Sequence, residues 1–246
     1  MLRTKASLLK DYREHYRADA ELIEDPAALA PVRFASESRR LESVVRMVGA
    51  DAGPALLDIG CGSGWLARQC SQHGARVTAS DLAPRGVAGA RSRFPDAASF
   101  IVADAYHMPM RSESFDAIIL SEVLEHLEEV ESALSEVRRL LRPGGRAVVT
   151  VPFRETIVNH LCIHCNHNTP ANAHIHSFDK GLLKRLEASG LSVRATRLLN
   201  NKLLELIGFP HRSRHWPYWC WQGLDWLCNR LSGKAAFLLI LTEKAG

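Results

Sequence analysis

Residues 56–67 read Leu56-Leu57-Asp58-Ile59-Gly60-Cys61-Gly62-Ser63-Gly64-Trp65-Leu66-Ala67. An apolar run reaches Asp58 and Ile59 and enters three glycines at alternate positions. A helical pattern opens at once with Trp65, Leu66 and Ala67. This order reads as a buried strand, a tight turn and a helix N-terminus. Glycine lets the backbone turn sharply and lets a ligand come close to the main chain. The free N–H groups at the start of the helix favour a carboxylate or another electron-rich group.

The glycine spacing discriminates between cofactors. A dinucleotide fingerprint runs Gly-x-Gly-x-x-Gly. Here the third glycine comes one residue early, and Trp65 stands where the last glycine of that fingerprint would be. Downstream, Ala75–Asp81 is a second short strand ending in an acid, placed to accept hydrogen bonds from ribose hydroxyls. Working outward, strands are expected over Ala55–Ile59, Arg76–Ser80, Ser99–Ala103, Phe115–Ser121 and Arg146–Val151. Helices lie between them, over Ser63–His73, from Pro84 to near Phe94, and from Val130 to Leu141. Such alternation predicts a parallel sheet covered by helices on both faces. Ligands in such sheets sit beyond the carboxyl ends of the strands, where the strand order switches.

The Gly-x-Gly-x-Gly turn after a strand ending in Asp, with Asp81 beyond it, resembles motif I and the following acidic position of the class I S-adenosylmethionine-dependent methyltransferases. The likeness is to their small-molecule, methyltransferase type 11-like branch. It covers residues 50–152 strongly and 178–243 loosely. It implies a Rossmann-like, seven-stranded, mostly parallel sheet of order 3-2-1-4-5-7-6 with the last strand antiparallel. Gly60, Gly62 and Gly64 would wrap the methionine part of S-adenosylmethionine, with Asp58 acting indirectly near its ammonium. Asp81 would hold the ribose and Leu82 would pack on the adenine. Asp104 and Ala105, at the end of strand three, would meet the adenine edge. Ser121 and Glu122 would line the floor between cofactor and acceptor. Several of these acids also have plainer readings: Asp58 as a helix cap and Asp104 as a turn initiator.

Composition is ordinary for a soluble globule. Hydrophobic residues make up 46% of the 246 residues, charged residues 24%, and the net charge is +4. One domain spanning 1–246 is expected, led by a helical cap over 1–50 with helices at 1–20 and 36–49. The N-terminus lacks the unbroken apolar stretch of a signal peptide, and no window suits a spanning helix. A cytoplasmic location is therefore expected, with its six cysteines as reduced thiols or metal ligands. No basic stripe with interleaved aromatics suggests nucleic acid. The segment after strand four reads Ser121-Glu122-Val123-Leu124, without the Asn-Pro-Pro-Tyr type tetrad of amino-methylating enzymes. The expected partner is a small-molecule acceptor, hydrophobic or lipid-linked, methylated on oxygen as first choice. The alternative is a non-catalytic S-adenosylmethionine-binding or assembly subunit of the same fold.

Two segments stand outside this frame. Residues 153–178 carry five histidines and two cysteines between His160 and His176. Cys162, Cys165, His174 and His176 form a candidate tetrahedral set for Zn²⁺. His174 and His176 could instead face the acceptor, and His126 in Leu124-Glu125-His126-Leu127 is a third candidate base; plain structural roles compete with each. Residues 200–233 are an insertion before a final strand at Ala236–Leu241. Four of the five tryptophans lie between Phe209 and Leu231. That stretch suits peripheral membrane contact, an acceptor pocket, a dimer contact or simple packing over the sheet edge.

Overall fold

The computed structural model describes residues 28–161 and 168–245. The expected helix at 1–20 and the cysteines Cys162 and Cys165 lie outside them. Helix α1 spans Pro31–Val48. It starts five residues earlier than the sequence pattern suggests, because Pro31, read as linker, occupies the first helical turn, where a missing N–H costs nothing. Gly49 ends it in the left-handed conformation.

The alternating units follow: β1 (Ala55–Ile59), α2 (Trp65–Gln72), β2 (Arg76–Asp81), α3 (Pro84–Arg93), β3 (Ser99–Val102), β4 (Phe115–Ser121), α4 (Val130–Leu140) and β5 (Leu141–Pro152). A short hairpin, β6 (Asn159–Leu161) with β7 (Asn168–Pro170), then leads to α5 (Leu182–Ala188) and β8 (Leu191–Asn201). The insertion forms α6 (Lys202–Leu206), α7 (Phe209–Arg212) and α8 (Tyr218–Ser232) before β9 (Ala235–Lys244).

The main sheet has the order β3-β2-β1-β4-β5-β9-β8. β1 to β5 are parallel, and β9 runs antiparallel to both β5 and β8. Counted within this sheet, that is the expected seven-stranded order with its last strand reversed. Both faces are apolar, as parallel strands require. Leu57, Ile118 and Leu120 pack under α4 and α5, while Leu56, Ala117 and Ile119 pack under α1, α2 and α3. The order reverses between β1 and β4, so the turns after Ile59, Asp81 and Ser121 open at one edge.

The insertion is anchored by a buried carboxylate. Asp225 of α8 accepts from the N–H groups of Asn200 and Asn201 at 3.0 and 2.7 Å and from Asn229 Nδ2 at 3.0 Å. Trp221 is 2% exposed and lies under the Arg39 guanidinium, whereas Trp219 is 74% and Trp226 60% exposed. The tryptophan-rich stretch thus divides into one packing residue and an outward face. Among the described residues no helix is long and apolar enough to cross a membrane.

Candidate active site

The turn after β1 is built from main-chain hydrogen bonds. The N–H groups of Gly60 and Cys61 both donate to the Ser80 carbonyl, at 2.8 and 2.9 Å. Gly62 N–H donates to Asp81 Oδ2 at 2.9 Å, and Ala83 N–H donates to Asp81 Oδ1 at 3.0 Å. Asp81 therefore shapes the glycine loop, and each oxygen keeps a lone pair for a ligand. Two glycines are demanded by both conformation and space. Gly60 has φ 75°, and a Cβ there would lie 2.5 Å from Val123 Cγ2. Gly64 has φ 79°, and its Cβ would lie 2.9 Å from Ala90 Cβ.

The turn after β4 is different. Glu122 holds φ 58°, which strains any residue with a Cβ. Its N–H donates to the Thr150 carbonyl at 3.1 Å, and the Thr150 hydroxyl donates to Glu122 Oε1 at 2.9 Å. Arg40, buried on α1, donates to Ser121 Oγ and, at 3.2 Å, to Thr150 Oγ1. It pairs with Glu37 through two nitrogens and lies 3.9 Å from Glu122 Oε1. Burial pushes the Glu122 carboxyl up to about 7 against the pull of Arg40.

These two turns and α1 enclose a cavity of about 620 Å³. Asp58, Gly60, Gly62, Ser121 and Glu122 all line it, as do Arg33, Glu37 and Arg40 of α1, Trp65 and Asn172. Asp58 is buried, its Oδ2 has no hydrogen-bond partner among the described residues, and burial together with the Asp81 charge raises its carboxyl to about 7. A smaller cavity of about 120 Å³ lies across the loop, sharing Gly62 and Ser63 and adding Asp81 and Arg85. Leu82, Asp104 and Ala105 line neither. Asp104 Oδ1 accepts from Tyr106 N–H at 3.1 Å, the turn-initiating arrangement.

The three histidines gather beside this floor without lining the large cavity. The N–H groups of Ile175 and His176 donate to the Glu125 carbonyl, at 2.9 and 3.2 Å, which docks the acceptor-side loop on the turn after β4. His176 Nε2 meets the Leu127 carbonyl at 2.8 Å, so that nitrogen carries the proton and is occupied. His174 Nδ1 bonds Glu155 Oε2, and its ring stands edge-on to His126 with centroids 4.8 Å apart. Ligand atoms of Glu125, His126 and His174 lie within 4.8 Å of one another. Of the two described members of the proposed zinc set, His174 falls in this cluster and His176 does not. Glu125 is fully buried; burial first, and the neighbouring Glu122 charge second, hold its carboxyl well above the usual range. Among the described cysteines, Cys61, Cys70, Cys220 and Cys228 are free thiols.

Sequence reasoning missed Glu37, Arg40, Asn172 and Glu125. Glu37 and Arg40 carried a faint signal as an oppositely charged pair three residues apart on a helix. Glu122 and Glu125 share that spacing, but His126 drew the attention. Residues of the insertion do not line the cavity between the two turns. His211, Arg214 and His215 instead line a separate cavity of about 590 Å³ with Phe34, Ala35 and Arg39, on the other face of α1.

Residues 57–149 match the family model for a methyltransferase domain. Over 143 residues the chain is 35% identical to the methyltransferase GfsG of Streptomyces halstedii, covering 54% of this chain and 50% of that protein. It is 36% identical over 104 residues to the malonyl-[acyl-carrier protein] O-methyltransferase of Serratia marcescens, covering 42% and 40%. The crystal structure of the [4+2]-cyclase SpnF superposes with a TM-score of 0.63 at 19% identity, covering 84% of this chain and 80% of that one. The segment that carries the glycine turn and the floor is thus similar to a methyltransferase domain, and these likenesses support the class I S-adenosylmethionine-dependent methyltransferase family. It spans about half the length or less of most of the curated relatives it matches, 50% of the first and 40% of the third.

Proposed function

We propose that this chain moves a methyl group from S-adenosylmethionine to a hydroxyl of a small, largely apolar acceptor. One observation carries the reading: a glycine loop pinned by Asp81, the buried Asp58 and the half-buried Glu122 face one cavity of about 620 Å³. The residues fit the cofactor. Gly60 has no room for a Cβ beside Val123, which keeps the loop main chain bare at the cavity wall, and among the described residues Asp58 Oδ2 is a buried acceptor without a donor, a role an ammonium would fill. When bound, S-adenosylmethionine supplies an activated methyl group whose C–S bond breaks with its electron pair passing to sulfur.

The chain's own residues bind, orient and exclude water. Asp81 offers its remaining lone pairs to the ribose hydroxyls. Arg33, on the cavity wall, is the cation for the methionine carboxylate. Arg40 holds Ser121 and Glu122 in place from α1, so the floor is fixed before the acceptor arrives. Glu122 presents a carboxylate to the acceptor hydroxyl. The match to an enzyme named as an O-methyltransferase supports oxygen as the atom methylated.

Calorimetry with S-adenosylhomocysteine tests the cofactor half. Micromolar binding is expected, with Asp81→Ala weakening it about 100-fold through loss of two or more charge-assisted hydrogen bonds. No binding by folded protein would sink the proposal. Binding without methyl transfer to any hydroxyl acceptor would leave a binding subunit or, as the SpnF likeness allows for this fold, another reaction.

A further inference from the structure

We propose that Glu125, His126 and His174 form a binding site for a first-row divalent cation, whose open coordination positions take the acceptor oxygen. The inference deepens the methyl-transfer reading and rests on it for the role of the cation, but the site itself stands on geometry. One ligand atom from each residue lies within 4.8 Å of the others. Donor atoms around a tetrahedral zinc-like ion at about 2.1 Å lie roughly 3.4 Å apart, so the three close on an ion by small side-chain rotations.

Glu125 gives the independent observation. It is fully buried, and neither carboxylate oxygen has a hydrogen-bond partner among the described residues. Buried polar atoms are normally paired, and a buried carboxylate is paired or holds a metal. Among the described residues no donor reaches these oxygens, but a cation held by His126 and His174 would.

The support around His174 has the form that metal sites use. Its Nδ1 is engaged by Glu155, which places the proton there and leaves Nε2 with its lone pair. A carboxylate behind a ligating imidazole fixes tautomer and orientation in this way. Backbone hydrogen bonds from Ile175 and His176 to the Glu125 carbonyl hold the two contributing segments together. Two imidazoles with one carboxylate suit Zn²⁺, Mn²⁺, Fe²⁺ or Co²⁺ better than Mg²⁺ or Ca²⁺, which prefer all-oxygen sets. Three protein ligands leave positions open, as in catalytic sites. Glu122, three residues before Glu125, lines the cofactor cavity, so the open side lies next to the transfer site. There a cation lowers the pKa of a bound hydroxyl and orients its oxygen.

The test uses the purified full chain stripped with chelator, with Co²⁺ as the probe and Zn²⁺ as competitor. About one equivalent of Co²⁺ is expected to bind, with visible ligand-field bands and without a thiolate-to-cobalt charge-transfer band. Glu125→Gln and His126→Ala should each weaken binding at least tenfold, and the Cys162→Ser/Cys165→Ser double variant should keep it. S-adenosylhomocysteine calorimetry on each variant reports folding and the cofactor reading separately. Failure of Co²⁺ to bind a folded, S-adenosylhomocysteine-competent protein overturns the site. A thiolate band lost in the cysteine double variant overturns it too, in favour of ligands from the cysteine loop. Co²⁺ binding with the expected variants but no S-adenosylhomocysteine binding keeps the cation site and removes the methyl-transfer reading.

Discussion

The turn after β1 and the turn after β4 both leave a parallel strand at its carboxyl end, and both enter the left-handed backbone region. The first does so with glycine, at φ 75° in Gly60; the second does so with Glu122, at φ 58°. The first is nearly complete by itself, because Asp81 and the Ser80 carbonyl take up its N–H groups. The second carries strain and leaves both oxygens of Glu125 without a partner among the described residues. A completed turn can be a cradle that waits for a ligand. An uncompensated one costs stability in the free protein and is relieved only by protonation, a donor or a cation.

The largest effect should come from forcing the first turn to behave like the second. Gly60→Ala meets both the left-handed φ and the Val123 side chain. It should lower stability by about 4 kcal/mol in a denaturant titration and abolish S-adenosylhomocysteine binding. A retained affinity would mean that the loop is not the cradle.

Next in size is a dependence on pH that the buried acids impose. Asp58 and Glu122 both titrate near 7 in the folded chain, above their ordinary values of 3.8 and 4.5, chiefly because burial disfavours the charged form. The folded state then binds more protons than the unfolded one. The stabilisation is complete below the ordinary values and is lost as pH rises through about 7. Unfolding free energy should fall by about 5 kcal/mol in all from pH 5 to pH 7.5, since each group contributes up to roughly 1.4 kcal/mol per pH unit until it ionises near 7. Scanning calorimetry should show the melting temperature rising on acidification across that range. The slope should flatten in Asp58→Asn, and an unchanged slope there would remove Asp58 from the account.

The smallest effect sharpens the comparison from the other side. Glu122→Gly gives the second turn the residue used by the first. Relief of the strained φ should offset the lost Thr150 hydrogen bond, leaving stability within about 1 kcal/mol of the parent. Methyl transfer should nevertheless fall at least 100-fold. A large loss of stability would show that Glu122 is structural rather than functional.

Legibility divides along the same line. The glycine turn, the sheet order and the strand-end placement of Asp58, Gly60, Gly62, Ser121 and Glu122 around one cavity were readable, because strand, turn and helix each leave a pattern within a few residues. The adenine side was less so. Leu82, Asp104 and Ala105 end or follow their strands as expected, yet they line neither cavity next to the loop. Position at a strand end fixes which edge a residue reaches, not where its side chain points. The density of histidine and cysteine in 153–178 could not say which histidine faces Glu125 and which spends its proton on the Leu127 carbonyl.

By itself, then, the amino-acid sequence determined the strand–turn–helix unit at Leu56–Ala67, the parallel sheet and the switch point beside which the cavity opens. These follow from φ preferences, apolar periodicity and hydrogen bonds between near neighbours. Only the tertiary structure decided that α1 closes the floor, since Arg40 meets Ser121 and Thr150 from 81 and 110 residues away along the chain. It also decided that the tryptophan-rich insertion packs on the far face of α1, and that His174 rather than His176 joins Glu125 and His126. Such pairings depend on which buried faces fill the same space, and that is set by the packing of the whole chain and not by any local stretch of it.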